Sequence, residues 1–535
     1  MTMQLVVDDT GFFAPADVHV AQRLTALAKE TDERVALAVA LVVRALRGGS
    51  VCVDLTSPEM ADLAAAVKDS PLLTDPPVLR VDGDLVYLDR YWLEEQQVCD
   101  DIRAMVAAKP AAVSPDIDRL FPAGFEEQRA AAEIALSQGL TVLTGGPGTG
   151  KTTTVARLLA MLASGSRLRI ALTAPTGKAA ARLQEAVQLE VGKLSPADGE
   201  ALAGLHATTL HRLLGSRPDT SARFRHNRGN RLPHDVIVVD ETSMVSLTMM
   251  ARLLEAVRPD ARLILVGDPD QLASVEAGAV LADLVDGLGG AKIAALNTSH
   301  RFGKSIGELA TAIRVGNADR AIEVLRSGDA HIEWIDAEDP RDNLRNVLVP
   351  HAVALRTAAI LGDGQAALKV LDEHRLLCAH RRGPYGVTQW NRQVERWLTE
   401  ETGDPIWSSW YAGRPVLVTA NDYGLGLYNG DTGVTVVHDD ALRAIIGDTS
   451  FATSRLADVE TMHAMTVHKS QGSQADEVTV LLPQQDSRLL TRELFYTAVT
   501  RAKERVRVVG SEAALRAAIE RRAVRASGLA QRLRA

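Results

Sequence analysis

Between residues 18 and 46, apolar positions recur at helical spacing through two segments, HVAQRLTALAKE and RVALAVALVVRAL, the second apolar on most sides. That spacing predicts a small N-terminal domain built on buried helices. A hydrophilic stretch holding Pro110 and Pro115 then predicts a linker. Beyond it the period changes to short Val/Ile/Leu runs, LTVLT at 140–144, RIALTA at 169–174, VIVVD at 236–240 and LILVG at 263–267, each followed by a helical segment. Near-continuous apolar strands alternating with helices predict a parallel sheet covered on both faces, and so an α/β fold. A second α/β region follows. A stretch rich in Gly, Val and Thr interrupts it at 406–453, with Asn429-Gly430 as a hairpin turn signal, and predicts a small β-barrel insert. The sheet pattern resumes at EVTVLLP and VRVVG.

Length and composition sharpen this picture. With 535 residues and 46% hydrophobic content, the chain exceeds one core, and about 100–200 residues per domain gives three or four domains. The longest apolar stretch, 35–43, is about half of what a bilayer span needs. The opening MTMQLVVDDTG lacks the basic-then-apolar order of a signal peptide, so a cytoplasmic location is expected. Cys52, Cys99 and Cys378 stand far apart without a CxxC pair, which points to buried thiols and away from disulfides or zinc. The net charge of −9 is uneven, because residues 1–110 hold 18 Asp+Glu against 10 Lys+Arg. The remainder is close to neutral, so only local grooves there would attract phosphates. The acidic N-terminal segment suits a protein contact better than DNA.

GGPGTGKT at 145–152 fits the phosphate-loop pattern. Gly145, Gly146, Pro147, Gly148, Thr149 and Gly150 would close backbone N–H groups around ATP phosphate oxygens. Lys151 would reach the β/γ-phosphates, the Thr152 hydroxyl would ligate Mg²⁺, and Thr153 continues the helix start. The strand ahead and the helix behind supply the required context. VIVVDETSM ends a strand in two adjacent acids, Asp240 to hold Mg²⁺ through water and Glu241 to orient and deprotonate the attacking water. Two such acids alone are more often a solvated turn. Following a phosphate loop one domain-scale interval earlier, they argue for hydrolysis.

Further motifs come in the order of helicase superfamily 1, which the chain resembles. Gln128 in FEEQRAA matches the glutamine that reads adenine, and Gln271 in VGDPDQL matches the sensor linking γ-phosphate to DNA. Arg301 in HRF matches a phosphate-contacting arginine, and Arg501 in FYTAVTRAKE the arginine finger. APTGKAA and TTLHRLLG match two motifs of the single-strand groove, which implies DNA contacts for Pro175, Thr176, Lys178, Thr209 and His211. MTVHKSQGS implies the same for Thr466, His468, Lys469 and Ser470 on the second domain. Arg217, Arg223, Arg225, Arg228 and Arg231 crowd one segment, usually a solvated loop, whose position suits a hairpin pin that splits the duplex.

Together these wordings are most similar to the RecD family, the α subunits of exodeoxyribonuclease V. The resemblance implies two RecA-like P-loop motor domains, at 113–297 and at 298–405 with 454–535. It also implies a small helical docking domain at 1–112 and an SH3-like β-barrel insert at 406–453. It further implies 5′-to-3′ translocation on single-stranded DNA, action at duplex DNA ends in double-strand break repair and recombination, and a heterotrimer with RecB and RecC in which the N-terminal domain docks on RecC. No Glu-x-Lys occurs in the chain, so the nuclease of such a complex is placed elsewhere. A free-standing 5′-to-3′ helicase is the alternative, and a scaffolding subunit with weak ATPase a weaker one.

Overall fold

The computed structural model describes residues 12–108, 117–164, 168–202, 204–217, 220–298, 304–337, 339–422 and 424–535. Its centre is a six-stranded parallel sheet in the order Ile293–Leu296, Leu140–Gly145, Arg262–Gly267, Val236–Val239, Ile170–Ala174, Ala207–Thr209. Every residue of Val236–Val239 and Arg262–Gly267 is buried, as expected for strands covered on both faces. Side chains alternate between two cores. Val142, Ile237, Val239, Leu263 and Leu265 pack with Met250, Leu254 and Leu284. Leu143, Val236, Val238, Ile264 and Val266 pack with Ala132, Leu158 and Leu159 on the other side.

The second α/β unit holds five parallel strands in the order Ile332–Ile335, Ala502–Val509, Ala475–Leu481, His374–Cys378, Ala464–Thr466. Between its strands lies a five-stranded antiparallel sheet, ordered Thr449–Ala452, Ala441–Ile446, Thr432–His438, Pro415–Val418, Val459–Thr461. The insert therefore reaches past residue 453. One of its faces encloses Val416, Val418, Ala444, Ile446 and Phe451, while Leu417, Val434 and Val436 join the core of the second unit.

The N-terminal region has the helices Pro15–Ala28, Glu33–Arg47 and Asp89–Ala107. It also has a three-stranded antiparallel sheet, ordered Cys52–Asp54, Leu85–Leu88, Leu79–Asp82, that the helical expectation lacks. Asp82 pairs with Leu85, leaving a two-residue turn whose Gly83 has φ +59°. The strands are three and four residues long, too short to impose a period on the sequence.

The chain's last helix, Leu529–Arg534, lies in the stretch expected for the second motor domain yet packs on Val280–Leu288 of the first unit. The segment before it joins the N-terminal region, with the Val51 N–H donating to the Ala526 carbonyl at 2.8 Å. Among the described residues, no helix is long and apolar enough to cross a membrane.

Candidate nucleotide cleft and polar groove

The phosphate loop joins the end of Leu140–Gly145 to the helix Lys151–Ala163. A Cβ on Gly145 would stand 2.8 Å from the Leu296 carbonyl oxygen and 2.5 Å from Thr149 Oγ1, so only glycine fits there. Gly150 has φ +86°, which turns the chain into the helix. Lys151 Nζ donates to the carbonyls of Gly145 and Gly146 at 2.5 and 2.9 Å. Gln128, buried at 5% exposure, donates through Nε2 to the Thr149 carbonyl at 3.5 Å.

A cavity of about 980 Å³ opens over this loop, and Gln128, Pro147, Gly148, Gly150, Lys151, Thr152, Thr153, Asp240, Glu241, Gln271 and Arg501 line it. Seven of the residues matched from sequence as catalytic or metal-binding are thus Lys151, Thr152, Asp240, Glu241, Gln271, Arg501 and Arg301; all line this cavity except Arg301, which lies outside the described residues. Burial, and then the neighbouring Glu241, push the Asp240 carboxyl up to about 6. Glu241 has φ +49°, a left-handed conformation disfavoured for a side chain of its size. Its carbonyl accepts from the Met244 N–H at 3.0 Å, and the Asp240 N–H donates to Thr173 in the adjacent strand at 2.8 Å. The turn is fixed from both sides.

Arg501 comes from the second sheet's unit and is 3% exposed. Its Nε donates to the Thr497 carbonyl at 3.0 Å and its Nη2 to Gln271 Oε1 at 3.0 Å. Gln271 Nε2 donates to Asp268 Oδ2 at 3.1 Å. Burial lowers the Arg501 pKa, and the field of Glu241 opposes that. Two further bonds close the seam: the Leu272 N–H donates to Thr497 Oγ1 at 2.8 Å, and Gln471 Nε2 to the Leu272 carbonyl at 2.6 Å. An arginine held over a phosphate loop by the opposite domain is placed to stabilise transition-state charge.

Among the described residues, no group of three or more His, Cys, Asp or Glu side chains gathers for a metal. The Asp240 carboxylate and the Thr152 hydroxyl line the cavity, with Glu241, Asp268 and Thr153 also among its lining residues. Asp240 and Thr152 alone would leave a magnesium ion most of its positions for phosphate oxygens and water, as that ion prefers.

Sequence reasoning passed over Asp268, Arg182 and Tyr496. Arg182 stands one helical turn after Lys178 on Gly177–Val191 and lines the nucleotide cavity. Asp268 stands within VGDPDQL, three residues before Gln271, and the helical spacing of Arg182 from Lys178 was likewise a usable signal.

A second recess, of about 490 Å³, runs where both sheet units and the insert meet. Pro175, Thr176, Lys178, Thr209 and His211 line one wall, His468 and Lys469 another, and Asn421, Tyr428 and Asn429 of the insert a third. Thr176 and Thr209 also cap helices, accepting from the N–H groups of Ala179 and Arg212 at 3.2 Å each. Lys178 Nζ donates to Thr432 Oγ1 at 3.5 Å under the insert, and burial pushes its pKa down to about 8. Ser470 does not reach the recess. It is 1% exposed and its hydroxyl donates to the Val467 carbonyl at 2.7 Å, closing a 3₁₀ turn. Thr466 is not among the lining residues either, and its Oγ1 accepts from the Lys469 N–H at 3.3 Å. In the arginine-rich segment, Ser216–Arg217 pairs antiparallel with Thr220–Phe224. Arg228 pairs with Asp101 at 2.7 Å, and Arg231 donates to the Val257 carbonyl. Those two arginines are tied to the domain body.

The sequence matches three family models: RecBCD enzyme subunit RecD, N-terminal domain, over residues 9–111; AAA domain over 125–337; and UvrD-like helicase C-terminal domain over 461–509. The RecBCD enzyme subunit RecD of Mycolicibacterium smegmatis is 73% identical over 539 residues, covering 97% of this chain and 97% of that protein. That of Mycobacterium tuberculosis is 66% identical over 552 residues, covering 98% and 96%. The ATP-dependent RecD2 DNA helicase of Deinococcus radiodurans is 32% identical over 480 residues, covering 87% of this chain and 61% of that protein.

Proposed function

The chain belongs to the RecD family of RecBCD enzyme subunits and is an ATP-dependent DNA helicase, and from that premise we propose that it is the 5′-to-3′ single-strand translocase of a heterotrimer with RecB- and RecC-type chains. The observation that carries this reading is the seam over the phosphate loop, where Arg501 of one sheet unit meets Gln271 of the other. A nucleotide in that cleft touches both units, so its hydrolysis changes their separation and moves DNA lying across them.

In this mechanism the loop 145–152 and Lys151 hold the triphosphate, while Gln128 reads the base. Thr152 and Asp240 would hold a magnesium ion, which would supply charge neutralisation for the phosphates. Glu241 orients and deprotonates the attacking water, and its constrained backbone fixes that carboxylate. Arg501, together with Arg301 as its motif implies, stabilises the developing phosphate charge, and Gln271 relays occupancy to the polar groove. DNA follows that groove over Pro175, Thr176, Thr209, His211, His468 and Lys469, a mixture of backbone and stacking contacts that tracks a strand without reading sequence. The motor units are proposed at 113–297 and at 298–405 with 454–535. The insert is proposed at 406–453, with the strand Val459–Thr461 joining its sheet from the returning segment, and the acidic region 1–112 is the docking element for the RecC-type chain.

The test is the complex assembled with wild-type chain or with Lys151→Gln. Loss of the chain's share of DNA-dependent ATPase and of translocation on 5′-tailed strands, with assembly intact, is the expected result. Unchanged translocation would sink the motor reading. Unwinding by the isolated chain, with no RecB- or RecC-type chain recovered from cell extract, would point to the free-standing helicase.

A further inference from the structure

One buried hydroxyl outside the residues matched from sequence also joins the two halves of the cleft. Tyr496 lies on the Arg492–Val499 helix of the second unit, which the Thr491 side chain caps by accepting from the Leu494 N–H. The residue is 4% exposed, and its phenol donates to Asp268 Oδ2 at 3.1 Å across the seam. The same oxygen stands 3.0 Å from where a Cβ on Gly146 would be, so the phenol packs directly on the phosphate loop.

Asp268 gathers donors from three directions. Oδ2 accepts from Tyr496 and from Gln271 Nε2, and Oδ1 accepts from the Asp270 N–H at 3.1 Å. With its nitrogen anchored there, the Gln271 amide turns its oxygen to Arg501 Nη2. A carboxylate this deeply buried stays ionised only while donors and cations hold it so. Burial raises the Asp268 pKa, and Lys151, Gln271, the Asp270 N–H and Tyr496 act against it. Without the phenol, Asp268 protonates more readily. A protonated carboxyl turns a donor toward the Gln271 nitrogen, the amide loses its anchor, and Arg501 loses its alignment.

We propose that Tyr496 is a positioning residue for ATP hydrolysis: its phenol keeps Asp268 an acceptor, so that Gln271 and Arg501 stay aligned over the phosphate loop. The proposal deepens the ATPase reading above and rests on it. Tyr496 thereby reports to the phosphate loop whether the second unit is seated.

Tyr496→Phe removes one oxygen and keeps the ring's packing. The measured quantity is this chain's ATPase in the complex with its partner chains, defined as the part that Lys151→Gln abolishes. In Tyr496→Phe that part loses roughly tenfold in kcat while the KM for ATP stays within about twofold. Its acid limb moves to higher pH, since Lys151, Asp270 and Arg501 still face Asp268 but the phenol donor is gone. Asp268→Asn shows a comparable loss, and the double variant is no worse than the poorer single one. Wild-type kcat and an unmoved acid limb in Tyr496→Phe overturn the proposal. Parallel decay of kcat, KM and ADP affinity marks a packing role and overturns it as well. If Lys151→Gln removes no ATPase at all, the nucleotide-site reading fails first and this inference with it.

Discussion

Arg501 Nη2 donates to Gln271 Oε1 at 3.0 Å, joining residues 230 positions apart in the chain. The guanidinium is buried and makes its other bond to the Thr497 carbonyl, so its direction is set before any nucleotide contact. Arg501→Ala is therefore expected to lower DNA-stimulated kcat by about 10³-fold, within the range known for arginine fingers, while nucleotide affinity changes little. Arg501→Lys is expected to recover only a small part, because a compact ammonium lacks the rigid fork that bonds Thr497 and Gln271 from separate nitrogens while facing a phosphate. Steady-state ATPase with and without single-stranded DNA, alongside fluorescent ADP titration, checks both. Equal losses in kcat and in ADP affinity would assign Arg501 to ground-state binding.

Glu241 combines a left-handed backbone with a place in the cavity beside Asp240. A conformation that a glutamate rarely adopts is retained where the surroundings over-determine it, and such positions cluster at functional sites. Glu241→Gln keeps the shape and removes the base. Hydrolysis is expected to fall by about 10²–10⁴-fold, with ATP still bound and the DNA-bound complex accumulating. Single-turnover hydrolysis by the assembled complex measures this. A variant that turns over at the wild-type rate would show that another group activates the water.

Much of this arrangement was legible in the sequence because the chemistry sits on long, strongly patterned elements. The four apolar runs LTVLT, RIALTA, VIVVD and LILVG are buried strands, and short runs dominated by apolar residues and followed by helical segments carry that signal alone. What escaped is non-local or short. Strands of three and four residues in the N-terminal region carry no period. Tyr496 looks like any buried aromatic on an amphipathic helix until Asp268, 228 positions away, is brought against its hydroxyl. Ser470 fits a groove motif by spacing, but the 3₁₀ turn at His468–Ser470 rotates it inward. Lys178 lines the groove as its motif implies, and its bond to Thr432 of the insert, whose position against the first unit no local pattern encodes, could not be read from the sequence.

The groove separates two lysines that the sequence treats alike. Both line the recess, but Lys178 also donates to Thr432 of the insert at 3.5 Å, a tie that the Lys469 ammonium lacks among the described residues. Lys469→Ala is expected to weaken single-strand binding uniformly across sequences. It should also reduce the slope of log K against log salt by about 0.7, the value for one phosphate contact on a single strand. Lys178→Met is expected to leave that slope nearly unchanged. Fluorescence anisotropy over a salt series, with homopolymers of two base types, makes the comparison. Equal slope changes for the two would place Lys178 on the phosphates and detach it from the insert.

The returning C-terminal segment predicts a pH dependence of stability. The Glu95 carboxylate is fully buried and accepts from Ser527 Oγ at 3.1 Å, the Gly528 N–H at 3.3 Å and Arg532 Nε at 3.1 Å. Nearby, burial pushes the Asp283 carboxyl from 3.8 up to about 7, with Glu95 and Asp286 adding to the rise and a hydrogen bond to Ser527 opposing it. The folded form of Asp283 thus binds its proton more tightly than the unfolded one. Its stabilising contribution is complete below pH 4 and is lost as pH rises towards about 7. Stability of the segment should fall between about pH 4 and pH 7 and level off by pH 8, where a second negative charge stands beside Glu95. Asp283→Asn removes that charge while retaining the polar contact to Ser527, so it should stabilise the protein at pH 8 and flatten the dependence. Hydrogen exchange at residues 526–535, followed at both ends of that pH range in wild type and variant, reads the effect where it arises. An undiminished pH dependence in Asp283→Asn would assign it to Glu95 and its partners alone.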